Sequence, residues 1–242
     1  MTTTMTKKRQ ATLQQDLEAI DYNWQDIQSL VQTIWGNFEP NRMGRDNKKL
    51  MGIFHFDLPA VKSCLNCESC KDSCYAMKSQ RQYKQTRFQR DLNLELAEGH
   101  LELLSQLLQA QLDDEKRRAQ KRGDKLYIRI HVSGDYPTQD YIAMWHELAL
   151  CNPTVTFYGY SKVFDILDLE AFNSLSNVNI VNSCPAGYGK NYGPLEEAMA
   201  MRKDLNCPIC PATLPQNKDK KITCGGTCKL CTTWKNVVFV QH

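Results

Sequence analysis

The chain has 242 residues, with 30 Lys and Arg against 27 Asp and Glu, a formal net charge of +3. That length is ample for a buried core, so cysteines are not needed as staples of a miniature scaffold. The near-balanced charge does not by itself mark a nucleic-acid binder. No apolar run reaches membrane-spanning length, and the polar, basic start over residues 1–10 lacks the apolar stretch of a secretory signal. The expected compartment is the reducing cytoplasm, where cysteines serve as ligands or catalysts rather than as disulfides.

In chain order, residues 1–10 read as disordered. Apolar residues then fall at Leu13, Leu17, Ile20, Trp24, Ile27, Val31 and Ile34, a heptad seam. Residues 1–40 are therefore an expected N-terminal helical extension, ended by Gly36 and Pro40. The 13–34 helix lies on the protein's own body or docks a protein partner or a second copy. Residues 52–58 (GIFHFDL) read as a strand closed by Pro59. Residues 80–120 read as helix broken near Gly99, with Leu92, Leu96, Leu103, Leu107 and Leu108 facing the core. Strands are expected at 125–132, 154–160 and 178–182. Helices are expected at 138–150 with Thr138 as N-cap, at 163–174 and at 195–204. Residues 237–240 make a last short strand. Alternating strands and helices predict an α/β fold, a partial (β/α) barrel with parallel strands over 41–205. A cysteine-rich metal knot and the last strand follow over 206–242. In such folds the working residues sit after the C-terminal strand ends. Residues 64–74, 133–135, 160–162 and 183–191 all occupy that position.

Nine of the eleven cysteines fall in two knots with metal-ligand spacing. The first, Cys64-x2-Cys67-x2-Cys70-x3-Cys74, has the rhythm of a ferredoxin loop, except that Tyr75 follows where proline is usual. Zinc sites normally use two separated knuckles, so thiolates this dense favour a [4Fe–4S] cluster over zinc. The second knot is Cys207-x2-Cys210, then Cys224-x3-Cys228-x2-Cys231. It offers five thiols for four positions, with Cys207 or Cys210 as partner of the last three. It suits zinc as readily as a second iron–sulfur cluster, and a structural role suits it best.

Other residues carry weaker signals. Ser133-Gly134-Asp135 ends the strongest strand, where a glycine can admit a ligand and a carboxylate can accept from an amine. The loop 183–193 has three glycines, with Lys190 and Asn191 as candidate contacts to a phosphate, a carboxylate or a base. His55 and His131 suit hydrogen-bonded core positions better than a general base. Cys184 could add a ligand, whereas Cys151 suits buried structure. Arg81, Lys84, Arg87 and Arg90, interleaved with Tyr83 and Phe88, are candidates for phosphate contact with a nucleic acid. Lys116, Arg117, Arg118, Lys121 and Arg122 read as a solvated helix end.

The segments FDLPAVKSC, CKDSCYAMK, HVSGDYPTQDYIAMWHELA, YGYSK, GYGKNYGP, CPAT and the closing C-x3-C-x2-C with VVFVQH, over residues 54–242, together resemble the phage- and plasmid-borne gene product 88 family. The resemblance implies a mobile-element origin. It points to Cys70, Cys74, Ser133, Gly134, Asp135, Asn191, Gly193, Cys210, Cys224, Cys228 and Cys231, and leaves Cys207 as an extra. More distantly, the layout resembles radical S-adenosylmethionine barrels. There, three cysteines after the first strand hold a cubane with one open iron, and a segment after the second strand receives the methionyl amine. Ser133–Asp135 would stand in for that segment, although C-x3-C-x2-C does not follow the first strand here. The expectation is a cytoplasmic iron–sulfur protein, of radical S-adenosylmethionine type, or a non-enzymatic metal-stabilised protein that binds nucleic acid or a host protein.

Overall fold

The computed structural model describes residues 50, 52–68, 70–72, 74–185, 190–224 and 228–241. The heptad segment 13–34 and its stops at Gly36 and Pro40 lie outside the described residues. Four strands, β1 (Phe54–Phe56), β2 (Leu126–Ile130), β3 (Val155–Ser161) and β4 (Val178–Asn182), form one parallel sheet in the order β1-β2-β3-β4. Each pair is in parallel register, for example Ile128 with Phe157 and Tyr160 with Val181. Sequential order and parallel pairing are what βαβ units dictate.

Among the described residues there are six helices: α1 (Tyr75–Gln82), α2 (Lys84–Gly99), α3 (Leu101–Arg122), α4 (Gln139–Cys151), α5 (Glu170–Ser174) and α6 (Leu195–Asp204). The break near Gly99 is where the sequence placed it. Helix α3 buries Leu103, Leu104, Leu107, Leu108 and Leu112, and its end is fixed by Gly123 in the left-handed region at φ +70°. Thr138 caps α4, its hydroxyl accepting from the Tyr141 amide at 3.2 Å. The basic end of α3 is solvated and paired, Lys116 with Asp113 and Arg118 with Glu115 at 2.7 Å each.

The α/β class with parallel strands is as expected. Among the described residues the sheet is open rather than a closed ring, with β1 and β4 at its ends. Four strands are too few to close, since a filled barrel takes about eight. The last strand joins a different sheet: β6 (Phe239–Val240) pairs in parallel with β5 (Tyr192–Gly193). The helix expected over 163–174 is shortened to Glu170–Ser174. Gln139 explains this by holding both backbone groups of Asp168, accepting from its amide at 2.9 Å and donating to its carbonyl at 2.8 Å. The Asp168 carboxylate then accepts from the Glu170 amide at 2.8 Å and starts a new, shorter helix.

Period-two alternation gives the sheet two unlike faces. Phe54, Phe56, Leu126, Ile128, Ile130, Val155, Phe157, Val178 and Ile180 belong to the main core with α3 and α4. Within it Trp145 meets Phe56, Phe157 and Tyr141 edge-on at 5.9, 6.2 and 6.3 Å. Tyr127, Tyr158 and Tyr160 point the other way and pack with Leu50, Ile53, Cys224 and Cys231. A small third cluster joins Ala198 and Met201 of α6 to Cys207, Ile209, Val238 and Val240.

The end of β1 is anchored by Asp57. Its carboxylate takes Arg90 of α2 at 3.2 Å and the Val132 amide at 2.8 Å, while His55 Nδ1 lies 3.2 Å away. Burial alone would raise this carboxyl, but His55, Arg90 and the Val132 amide outweigh it and hold it at about 2. A depressed value stabilises the fold fully above about pH 4, and that share, about 2 kcal/mol, is lost as pH falls through about 2. Asp57→Asn should flatten this acid-side loss. Near neutral pH it should cost roughly 3 kcal/mol, because it leaves the Arg90 charge buried without its anion. Urea unfolding at both acidities measures the two effects.

Candidate metal centres

The first cysteine loop leaves β1 and folds back on the sheet's C-terminal edge. Ser63 donates its hydroxyl to the Pro59 carbonyl at 2.9 Å, and the Cys67 carbonyl accepts from the Cys70 and Lys71 amides at 3.0 and 2.8 Å. At the far end the Tyr75 hydroxyl donates to the Val132 carbonyl after β2, at 2.5 Å. Asn66 donates to the Lys162 carbonyl after β3 at 3.2 Å. The loop is thus tied to the ends of three strands. Burial, with Asp135, Cys70 and Cys74 as anionic neighbours, pushes the Cys64 thiol up to about 12. Cys64, Cys70 and Cys74 therefore share one neighbourhood.

Lys162 completes this edge, within the segment 160–162 expected among the working positions. Partial burial pulls its ammonium down, but a hydrogen bond to Cys70 and the charges of Cys70 and Cys184 hold it up. Its sequence signals are its place one residue past the end of β3 and the YGYSK segment.

Ser133, Gly134 and Asp135 do sit at the end of β2, but the protein itself engages them. Asp135 is buried. One carboxylate oxygen accepts from Ser161 Oγ at 2.8 Å and from the Tyr136 amide at 2.9 Å, and the other from the Lys162 amide at 2.8 Å. Burial raises its carboxyl to about 6 against these bonds. Gly134 has φ +84°, and a Cβ there would meet Ser63 Oγ at 2.5 Å and Leu58 Cβ at 2.6 Å. The space expected to admit a ligand is filled by the β1 loop. Ser133 is buried, its carbonyl accepting from the Leu58 amide at 3.0 Å.

The glycine-rich loop divides similarly. Residues 186–189 lie outside the described residues. Asn191 is buried and structural: its side chain donates to the Val237 carbonyl at 2.9 Å, and its own carbonyl accepts from the Phe239 amide at 2.9 Å. The Lys190 ammonium lies 5.0 Å from the Tyr192 ring centre. The loop 183–193 thus spends Asn191 on carrying β6.

The second knot lies on the sheet's polar-aromatic face, where Asn179 of β4 donates to the Cys231 and Trp234 carbonyls at 2.8 and 2.9 Å. Burial, with Cys210 and Cys224 nearby, pushes the Cys231 thiol up to about 12, although a hydrogen bond from Tyr160 opposes it. Burial also raises Cys210, with Cys224 and Cys228 adding to it. Cys210, Cys224, Cys228 and Cys231 thus lie near enough to feel one another's charge, while Cys207 is buried in the apolar cluster of α6. Arg129 projects toward this knot from β2, its guanidinium 4.9 Å from the Tyr160 ring centre. The alternation of Tyr127 and Arg129 along β2 could have revealed this face. Among the described residues no three His, Cys, Asp or Glu side chains stand ready to hold an ion.

Three other expectations are corrected or settled. Arg90 is buried on Asp57, Ala76 and Ser79, so it reaches no nucleic acid. Cys151 is exposed at the end of α4 rather than buried. His131 is a core residue, its Nε2 3.0 Å from the Tyr141 hydroxyl, and burial lowers it to about 3. No helix among the described residues is long and apolar enough to cross a membrane.

A family model, Gene product 88, matches residues 38–192, and the chain belongs to that family. The match includes the first cysteine knot and stops short of the second, so the closing motifs over 207–242 stand outside it. No curated protein and no solved structure matches the chain.

Because the Gly134 pocket is filled and its φ is positive, Gly134→Ala should destabilise by about 3 kcal/mol or more. A shift in the urea midpoint with an unchanged slope is the expected readout. An unchanged midpoint would mean that the edge beside Asp135 is open.

Proposed function

We propose that this protein is a phage- or plasmid-borne thiolate metalloprotein with two centres. The first holds a [4Fe–4S] cluster in Cys64, Cys67, Cys70 and Cys74 at the C-terminal edge of the sheet. The second, on Cys210, Cys224, Cys228 and Cys231, is a closed centre of zinc or iron–sulfur that clamps the C-terminal segment to the sheet. One observation carries this reading: burial raises the thiols of Cys64, Cys210 and Cys231, and neighbouring cysteines add to the rise at each. Crowded buried thiolates are relieved by a soft cation, which takes the place of their protons as it binds and closes the loops around itself. We read the four strands as part of a (β/α) barrel wall whose inner face the C-terminal segment covers.

S-adenosylmethionine fits this edge poorly. The carboxylate expected to take its amine already accepts three hydrogen bonds, and the glycine beside it is covered.

Protein purified anaerobically should be brown, with stoichiometric sulfide. Colourless protein rich in zinc and free of sulfide would overturn the first assignment. Cys210→Ser should lower bound metal and stability together. Cys207→Ser should keep the metal and cost only about 1 kcal/mol, the penalty of a hydroxyl in an apolar cluster. Equal metal loss from both would refute the chosen ligand set. Dithionite-reduced protein that releases 5′-deoxyadenosine from S-adenosylmethionine would restore the radical reading.

A second activity, binding of single-stranded nucleic acid, is favoured by the surface of α1 and α2. Lys78, Arg81, Lys84 and Arg87 are exposed there, and over residues 71–87 Asp72 is the sole acid. Tyr75 and Tyr83 are 68% and 54% exposed, rings on which bases can stack. Arg81→Ala, Lys84→Ala and Arg87→Ala together should weaken binding of an oligonucleotide regardless of its sequence. The log–log salt slope should fall by about 2. Binding that is absent, or indifferent to salt, would reject this surface.

A further inference from the structure

We infer that Arg129 and Tyr158 form a binding site for a phosphate group, free or carried by a small ester, on the sheet face that the C-terminal segment covers. The site needs no metal and does not depend on the cysteine centres.

Parallel register sets four polar side chains in one row across the sheet. His55 of β1 pairs with Arg129 of β2, Arg129 with Tyr158 of β3, and Tyr158 with Asn179 of β4. Neighbours in register point to the same face, here the one opposite the main core. The ends of the row are occupied. His55 Nδ1 lies 3.2 Å from Asp57, which also holds Arg90, and the Asn179 amide nitrogen donates to the Cys231 and Trp234 carbonyls. The middle of the row is not. Arg129 Nε and the Tyr158 hydroxyl are sealed from solvent and have no hydrogen-bond partner among the described residues. One strand further on, Asn179 Oδ1 is in the same condition.

A guanidinium keeps its charge, and a charge drawn partly out of water calls for an anion. Arg90, also turned inward, meets the Asp57 carboxylate at 3.2 Å. Arg129 meets no carboxylate among the described residues, and its guanidinium lies instead 4.9 Å from the Tyr160 ring centre. An aromatic face fixes the plane of the guanidinium and leaves its N–H fork free at the edge. Arg129 is only part-buried although its Nε is sealed, so the outer end of the fork is reachable. Tyr127, two residues back on the same face, accepts from the exposed Lys229 at 3.5 Å, which brings a second cation to this side. The donors thus come from two strands and from more than one direction. Tetrahedral oxygens can meet them, whereas a carboxylate confines its acceptors to one plane. A singly protonated phosphate also has an O–H to offer to Asn179 Oδ1, which a carboxylate lacks.

The test uses the full chain as purified, in chloride buffer near the second phosphate pKa of about 6. Inorganic phosphate, a nucleoside 5′-monophosphate and acetate are titrated by calorimetry. Both phosphates should bind more tightly than acetate; acetate binding as tightly would overturn the inference. Tighter binding of the ester would identify an ester as the ligand and equal binding the free anion, and either result supports the site. Arg129→Gln should weaken phosphate about tenfold or more, the worth of a hydrogen bond to a charged group. Tyr158→Phe, which removes only the orphaned hydroxyl, should also weaken phosphate without lowering the urea midpoint. Phenylglyoxal modification, read by mass spectrometry in the wild-type protein, requires no variant to fold. Phosphate should slow it at Arg129 and not at the exposed Arg202. Absent protection at Arg129, or unchanged phosphate affinity in Arg129→Gln, would overturn the site. So would loss of second-centre metal in Arg129→Gln when the wild-type protein ignores phosphate, since the guanidinium would then serve the thiolates instead.

Discussion

A single buried carboxylate organises the edge on which the rest of the protein is arranged. Asp135 leaves β2 and accepts from the Ser161 hydroxyl and the Lys162 amide of β3. Its own amide donates to Ser63 on the β1 loop at 3.4 Å. Three consecutive strand exits are thereby fixed by one side chain and its backbone. A carboxylate inside a protein is costly, and its raised value of about 6 reflects that cost. Three donors keep it tolerable. The sign is opposite to that of Asp57: a raised carboxyl weakens the fold as pH climbs from about 4 to about 6, and the deficit then stays constant. Asp57 and Asp135 thus set opposing slopes on either side of about pH 4.

Much of this was legible because backbone geometry writes itself into short patterns. The strands expected at 125–132 and 178–182 lie within two residues of the observed ends. Gly99 marked a helix break, and Thr138 marked a cap. What failed was long-range. Nothing local in residues 163–169 reveals that Gln139 will occupy the backbone groups of Asp168 and hold off a helix. Arg90 looks like its basic neighbours at three-residue spacing, yet it alone turns inward, because Asp57 waits 33 residues earlier. At Gly134 the chain itself comes close, through Ser63 and Leu58 far back in sequence. The family's matched span likewise ends at residue 192 and carries no information on the second knot.

The two knots differ in where the fold puts them, and that difference separates their roles. The first occupies strand exits, where loops can vary without disturbing the sheet. The second covers a sheet face that could not remain bare. Tyr127, Arg129, Tyr158 and Tyr160 form a surface too aromatic to solvate well and too polar to pack as a plain core. The C-terminal segment answers both needs. Its cysteines pack beside the Tyr158 and Tyr160 rings, and the Tyr160 hydroxyl bonds Cys231. Asn179 holds the knot's own carbonyls, and Lys229 lies 4.5 Å from the Tyr127 ring centre. Short 3-10 turns such as Leu230–Thr232 contribute little hydrogen bonding of their own. A segment so poor in regular structure has few internal means of holding its shape. A metal there would supply the cross-linking that its backbone lacks, and would keep the face of the sheet covered. The first knot is already tied down by Ser63, Asn66 and Tyr75. It does not need a metal for its place in the fold, so a metal bound there would be free to serve a purpose other than structure.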